Sequence, residues 1–213
     1  MHLAELEKGL SEKRLSTYYT LFPADKEKAI EYYRINMQIA ESFYPLLSNL
    51  EIVLRNSIHR SFSIHFSSAD WPSLIKQNEL ADQVNIAKRK ILTSRHSLTP
   101  DKLIAELTLG FWTALFNKQY AREFWKPLMY AFPMFETKDK QRDKISFTLN
   151  QVRKFRNRIF HYEPVCNDLA ALEKNHTNIM GIIKGINVEV LDWTKQIDRF
   201  DSLYKKAVRL RTG

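Results

Sequence analysis

The chain has 213 residues, of which 44% are hydrophobic, and a formal net charge of +9. It has only 5 glycines and 7 prolines, too few for the turns of a many-stranded β protein, and its long amphipathic runs predict an all-α fold. The single cysteine, Cys166, excludes a disulfide framework and suits a reducing cytosol. Because no apolar run approaches the roughly 20 residues of a membrane span and the first residues lack a signal-peptide pattern, we expect a cytoplasmic protein with no membrane partner. The basic composition favours a polyanionic partner.

The first third of the chain predicts two helices. One begins near Ser11 and ends before Phe22. Asp25 can cap a longer helix that reaches about His65, and we expect Pro45 to kink it. Apolar residues recur at helical spacing in the first half of this longer helix, and they predict its apolar face: Ile30, Tyr33, Met37, Ala40, Tyr44 and Leu47.

The middle of the chain predicts shorter helices. Residues 77–95 predict a polar helix with one apolar stripe, formed by Leu80, Val84, Ala87 and Ile91. Thr99 is the expected N-cap of the next helix, with Pro100 at its first helical position. Gly110 is expected to separate that helix from the segment FWTALF.

The last part of the chain predicts one long helix and several shorter ones. Residues 120–135 are aromatic and interrupted by prolines, so we expect short helices packed under the core. A long helix is predicted from about residue 138 to residue 162, where Pro164 stops it. Asn167 or Asp168 can cap the following helix, and the remaining residues predict one or two more.

The string KFRNRIFHYEPV, residues 154–165, concentrates the residues with the clearest chemistry. On a helix, Asn157 and His161 are four residues apart and share a face, and Arg153 lies on the same stripe. Arg156 is one position round the helix from Asn157, and its long side chain can reach the same point. The helix therefore offers an imidazole, an amide and one or two guanidinium groups on adjoining surface.

That set of groups suits a phosphodiester. An arginine binds phosphate bidentately and stays charged, and a histidine can move a proton near neutral pH. RNA carries its own nucleophile, the 2′-hydroxyl, and the sequence shows no convincing metal-ligand spacing, so we expect neither a metal nor another cofactor. Since the motif offers a single histidine where an acid and a base are needed, a symmetric homodimer would supply the second. Basic residues in a last helical turn are also common as plain surface, and the pattern alone leaves that alternative open.

Three segments in order carry a family resemblance. The string FRNRIFHYEP, within residues 153–163 and the proline that follows, resembles the R-x4-H signature of the HEPN superfamily in its Abi-like, abortive-infection branch. NLEIVLRNSIHRSF, residues 49–62, resembles the earlier Glu-x-x-x-Arg-Asn helix of that family, and IAELTLGFWTALF, residues 104–116, resembles its Glu-Leu-x-x-Gly-x-Trp segment. The resemblance implies that residues 1–213 form a single-domain HEPN-like helical bundle with additional helices.

The resemblance also implies an activity. Arg156 and His161 match the family's catalytic pair, and Asn157 matches the polar residue that follows the arginine. A metal-independent endoribonuclease is implied, leaving 2′,3′-cyclic phosphate ends and acting as the dimeric toxin of a phage-defence or toxin–antitoxin system. Such a toxin is restrained by an antitoxin, either a structured RNA or a protein. The alternative is a HEPN-like protein that binds RNA without cleaving it.

Further polar residues have two interpretations each. Arg153 and Arg158 flank the motif, and they are either phosphate contacts or solvated basic surface. Glu51 and Arg55 are four apart on one helix and are either an ordinary ion pair or, with Asn56, part of the RNA-binding cleft.

Overall fold

The computed structural model describes residues 3–76 and 78–212, and within these ranges every regular element is helical. The predicted all-α fold is confirmed. Residues 1, 2 and 213 of the predicted domain, and residue 77 where one helix was predicted to start, lie outside the described residues. In chain order the α-helices of the described residues are α1 Leu3–Leu10, α2 Glu12–Leu21, α3 Lys26–Phe66, α4 Asn78–Thr93, α5 Pro100–Glu106, α6 Leu109–Ala114, α7 Ala121–Tyr130, α8 Arg142–Phe160, α9 Leu169–Ile186, α10 Val188–Ile197 and α11 Phe200–Thr212.

Side chains that accept backbone N–H groups fix four helix starts, as predicted. Ser11 caps α2, Asp25 caps α3, Thr99 caps α5 and Asp168 caps α9. The two aspartate caps have short donor–acceptor distances, 2.8 Å at Asp25 and 2.9 Å at Asp168. Each cap satisfies one of the backbone donors that the first helical turn leaves without a partner.

The long helix α3 is the centre of the packing. It contacts α2, α6, α7, α9, α10 and α11, and it continues through Pro45 as one element. Because neighbours surround it, α3 buries more than one stripe of side chains. The predicted apolar face of α3 is partly wrong, because the buried positions are not the predicted ones. Tyr33 and Ala40 are only half-buried, and Met37 and Tyr44 are exposed. The buried positions include Tyr32, Ile35, Ile39 and Phe43.

Two predicted interruptions are wrong. Gly110 lies inside α6, and the chain breaks before it, at Thr108. Pro127 lies inside α7, where it is buried and its carbonyl oxygen accepts a hydrogen bond from the Ser61 hydroxyl. Proline forfeits one backbone donor, but tertiary contacts can hold the helix around it. The predicted stripe of α4 is confirmed, because all four of its apolar residues are buried.

Aromatic packing fixes where α8 lies. The Phe43 ring of α3 contacts the Phe155 ring of α8 with a centroid distance of 4.8 Å, and it contacts the Phe200 ring of α11 at 5.3 Å. Edge-to-face contacts of this kind are favourable beyond the area that they bury. The C-terminal end of α8 is therefore held against the first half of α3. No helix in the described ranges has the length and apolar character needed to cross a membrane.

Candidate active site

The end of α8 is shaped by a capping turn. The helix was predicted to run over residues 138–162, but it spans Arg142–Phe160. His161 is the C-cap, Tyr162 follows with φ 58°, and the chain then turns away. Tyr162 N–H donates to Ile159 O at 3.0 Å, and Glu163 N–H donates to Arg158 O at 2.9 Å. This pair of bonds is a Schellman motif, so the turn at Tyr162 ends the helix before Pro164 is reached.

The turn leaves His161 and Asn157 open to solvent. Both side chains are exposed, and neither forms a side-chain hydrogen bond to another residue in the ranges 3–76 and 78–212. They lie four residues apart, opposite the face on which Phe155 and Ile159 are buried. The predicted pairing of the amide and the imidazole on one exposed face is therefore present in the structure.

Arg156 lies beside this face rather than on it. It lies five positions before His161, which corresponds to about 140° around an ideal helix. Its guanidinium carbon lies 4.3 Å from the centroid of the Phe160 ring, a cation–π contact. No carboxylate or carbonyl of the described residues accepts a hydrogen bond from its side chain. The charged group is thus held in place by an aromatic ring while its donors remain available to a ligand.

The two flanking arginines already have protein partners. Arg158 donates to the Glu163 carboxylate at 3.0 Å and to Pro164 O at 3.2 Å, so it fastens the segment after the turn to α8. Arg153 is half-buried and donates to Asn150 Oδ1 at 3.3 Å, while its Nε is buried without a partner in the described part of the chain. These contacts favour a structural role for Arg158, and they leave Arg153 with donors, including its buried Nε, that no described residue uses.

A groove lies against the motif, and sequence reasoning missed it. Its volume is about 510 Å³, and its walls come from α2, α3 and the end of α8. We call it the motif groove, and its lining includes Asn36, Met37, Glu41, Tyr44, Phe160 and Tyr162. Phe160 and Tyr162 flank His161 in the chain. No local signal in the sequence marks the groove, because Met37, which lines it, and Phe43, which is buried, are equally apolar.

The predicted second cluster lies elsewhere on α3. Arg55 lies about 16 Å of helical rise beyond Tyr44, the last groove residue on that helix. Arg55 Nε donates to Asn56 Oδ1 at 3.4 Å, and within the described ranges no ion pair joins Arg55 to Glu51. Glu51, Arg55 and Asn56 are therefore not brought to the motif within one chain.

Two other titratable groups are half-buried or buried, His59 and Cys166. The Trp71 indole N–H donates to His59 Nδ1 at 3.0 Å, and burial lowers the pKa of His59. Burial raises the pKa of the Cys166 thiol to about 12, with a smaller opposing effect from Arg211. Neither group has the exposure expected of a proton carrier or a nucleophile. In the part of the chain that the structure describes, no three His, Cys, Asp or Glu side chains are grouped to hold a metal ion.

No protein-family model, curated protein or solved structure matches this chain. The family resemblance therefore depends on the three sequence segments alone. The structure places residues 49–62 on α3, residues 104–116 across α5 and α6, and residues 153–163 at the end of α8. The middle segment is core: Trp112 is fully buried, and its indole N–H donates to Leu107 O at 3.1 Å.

Proposed function

We propose that this protein is a metal-independent endoribonuclease of the Abi-like HEPN type. The observation that carries the proposal is the combination at the end of α8. Asn157 and His161 are exposed without a side-chain partner among the described residues, and the Arg156 guanidinium lies on Phe160 with donors that no residue of those ranges uses. The neighbouring Arg158 differs, because its guanidinium is paired with the Glu163 carboxylate.

The proposed reaction uses the nucleophile of the RNA. The 2′-oxygen attacks the adjacent phosphorus, the bond to the 5′-oxygen breaks, and a 2′,3′-cyclic phosphate and a 5′-hydroxyl result. A base takes the 2′-hydroxyl proton, and an acid gives a proton to the departing 5′-oxygen. His161 performs one of these transfers, Arg156 stabilises the negative charge that builds up on the phosphate, and Asn157 orients the phosphate or the imidazole.

The second proton carrier comes from a second copy of the chain in this proposal. Phe147, Lys154, Asn157 and His161 follow one stripe of α8, and the Phe147 ring is exposed at the far end of that stripe. An exposed phenylalanine in line with the motif supports a two-fold contact along α8, which would bring two His161 side chains to one cleft. Phe160, which is also exposed, lies at the edge of that contact.

The biological role follows from the same resemblance. We propose a cytoplasmic toxin that degrades RNA during phage infection and is restrained by an antitoxin, either a structured RNA or a protein. The net charge of +9 supports binding to RNA, since neutralising phosphates releases condensed counterions.

The test compares wild type, His161→Ala and His96→Ala on total RNA in excess EDTA, with analysis of the fragment ends. His96 is exposed and lies between α4 and α5, so it is a matched control. Wild type and His96→Ala should leave cyclic-phosphate ends, and His161→Ala should cleave about 10²–10⁴-fold more slowly while still binding RNA. Cleavage that EDTA abolishes would contradict the proposal. RNA bound by wild type but left intact would favour the non-catalytic RNA-binding alternative.

A further inference from the structure

The motif groove contains the buried side-chain amide of Asn36, and within the described residues only the oxygen of this amide forms a hydrogen bond. Asn36 is only 4% exposed, and its Oδ1 accepts the Cys166 backbone N–H at 3.0 Å. Because a backbone N–H can only donate, this bond fixes which end of the amide carries the oxygen. The Nδ2 group must then face the other way, and no residue of the described ranges accepts a hydrogen bond from it. Asn36 lines the groove, so a ligand there would meet this donor.

An aromatic ring without an aromatic partner stands in the same groove. Tyr44 is 63% exposed, although an apolar ring of this size is usually packed. Among the described residues its ring makes no contact with another aromatic ring. The Phe160 ring differs, because the Arg156 guanidinium already covers it. The free face of Tyr44 is therefore available to a flat ligand.

The size and position of the groove fit a nucleotide. A volume of about 510 Å³ lies inside the range of roughly 300–1,000 Å³ for small-molecule sites. Phe160 and Tyr162 are the chain neighbours of His161 and both line it. The Arg156 guanidinium lies on the Phe160 ring, so a phosphate held by Arg156 would have its own base, or the next one, near the mouth of the groove. Single-stranded RNA is bound by proteins through bases that stack on aromatic rings and donate or accept at their edges.

We propose that the motif groove binds one unpaired nucleobase of the RNA next to the scissile phosphate. The base stacks on Tyr44, and Asn36 Nδ2 donates to an acceptor on its edge. The inference rests on the proposed function, since it takes the bound polymer to be RNA. It adds that the protein recognises a single-stranded base through the groove and not the phosphate backbone alone.

The test measures binding in a His161→Ala background, so that cleavage does not interfere. One probe is a labelled single-stranded RNA of about 12 nucleotides, and the other is the same ribose–phosphate chain without bases. Adding Tyr44→Ala should weaken binding of the RNA about tenfold, as expected for the loss of one stacked base, and leave the abasic probe unchanged. Tyr44→Phe should bind like the parent, because it keeps the ring.

The matched control is Tyr130→Ala. Tyr130 is 69% exposed on α7, outside the motif groove, and its loss should change neither affinity. A second variant, Asn36→Asp, keeps the acceptor for Cys166 N–H but removes the donor, and it should weaken binding of the RNA more than that of the abasic chain. Circular dichroism would check that it folds.

Several results would overturn the inference. Three results would show that the groove holds no base. They are equal affinity for the RNA and the abasic chain, an unchanged affinity for the RNA on Tyr44→Ala, and failure of both probes to bind at low salt. A change from dimer to monomer on Tyr44→Ala, seen by sedimentation, would show that a second copy fills the groove instead. Failure of the proposed function would give a different result. The wild-type protein would then leave RNA uncleaved, while Tyr44→Ala would still weaken the binding of RNA.

Discussion

Replacing Tyr162 tests the turn that exposes His161. Its φ of 58° places a non-glycine residue in the left-handed region, which costs an L-residue roughly 1–2 kcal/mol. Tyr162→Gly removes that cost, while Tyr162→Ala keeps it and removes the same ring, which is 77% exposed. After allowance for the greater entropy of glycine in the unfolded chain, we expect the glycine variant to be more stable than the alanine variant by about 1 kcal/mol. For a chain of 213 residues this is a difference of about 2–4 °C in Tm.

The assay is thermal unfolding followed by the helical circular dichroism signal. Lys154 is the control, because it is exposed in the right-handed part of α8. There the order should reverse, with Lys154→Gly less stable than Lys154→Ala by about 1 kcal/mol. Both Tyr162 variants keep the backbone carbonyl that accepts a 2.6 Å hydrogen bond from Arg14, so this contact does not bias the comparison. An alanine variant as stable as the glycine variant would refute the assignment of a strained turn after His161.

Two further predictions concern Asp198, which is half-buried, and Cys166, which is buried. Burial raises the pKa of Asp198, but hydrogen bonds from His176 and Phe200 N–H lower it more, so its net pKa lies below the usual 3.8. A depressed carboxyl pKa stabilises the fold above pH 4 and loses that effect as the pH falls through the folded-state value. The urea midpoint of wild type should therefore fall in acid more steeply than that of Asp198→Asn, and parallel pH profiles would contradict this. Cys166 is fully buried, and burial raises the pKa of its thiol to about 12. A thiol reagent at pH 8 should therefore label the native protein on the order of a thousandfold more slowly than the unfolded chain. Similar labelling rates would contradict the burial of Cys166.

Local chemistry made several helix boundaries predictable from the sequence. Ser11, Asp25, Thr99 and Asp168 each satisfy a backbone donor within three residues, so a cap is readable without knowledge of the fold. The apolar stripe of α4 was equally readable, since that helix buries one face only. Helix caps and a single apolar stripe depend on residues that are close in the chain, so they can be predicted from the sequence.

Features set by distant contacts could not be predicted in this way. The end of α8 had no glycine or asparagine to mark a left-handed cap, and the Arg14 side chain of α2 holds the carbonyl of Tyr162 there. The exposed side of α3 had no local signal either, because Met37 and Phe43 are equally apolar. Only the positions of α8 and α11 decide that Phe43 is buried and Met37 is not.

A local contact on α8 also affects the chemistry that the motif can perform. Sequence spacing placed Asn157 and His161 on one face of a helix, and the structure agrees. Spacing alone does not direct Arg156 toward them, since five residues turn it about 140° away. Phe160 fixes where the guanidinium lies, because its ring contacts the guanidinium carbon at 4.3 Å while also forming a wall of the motif groove. Phosphate binding and base binding would therefore share one aromatic side chain, so a substitution at Phe160 should impair both, whereas one at Tyr44 should impair base binding alone.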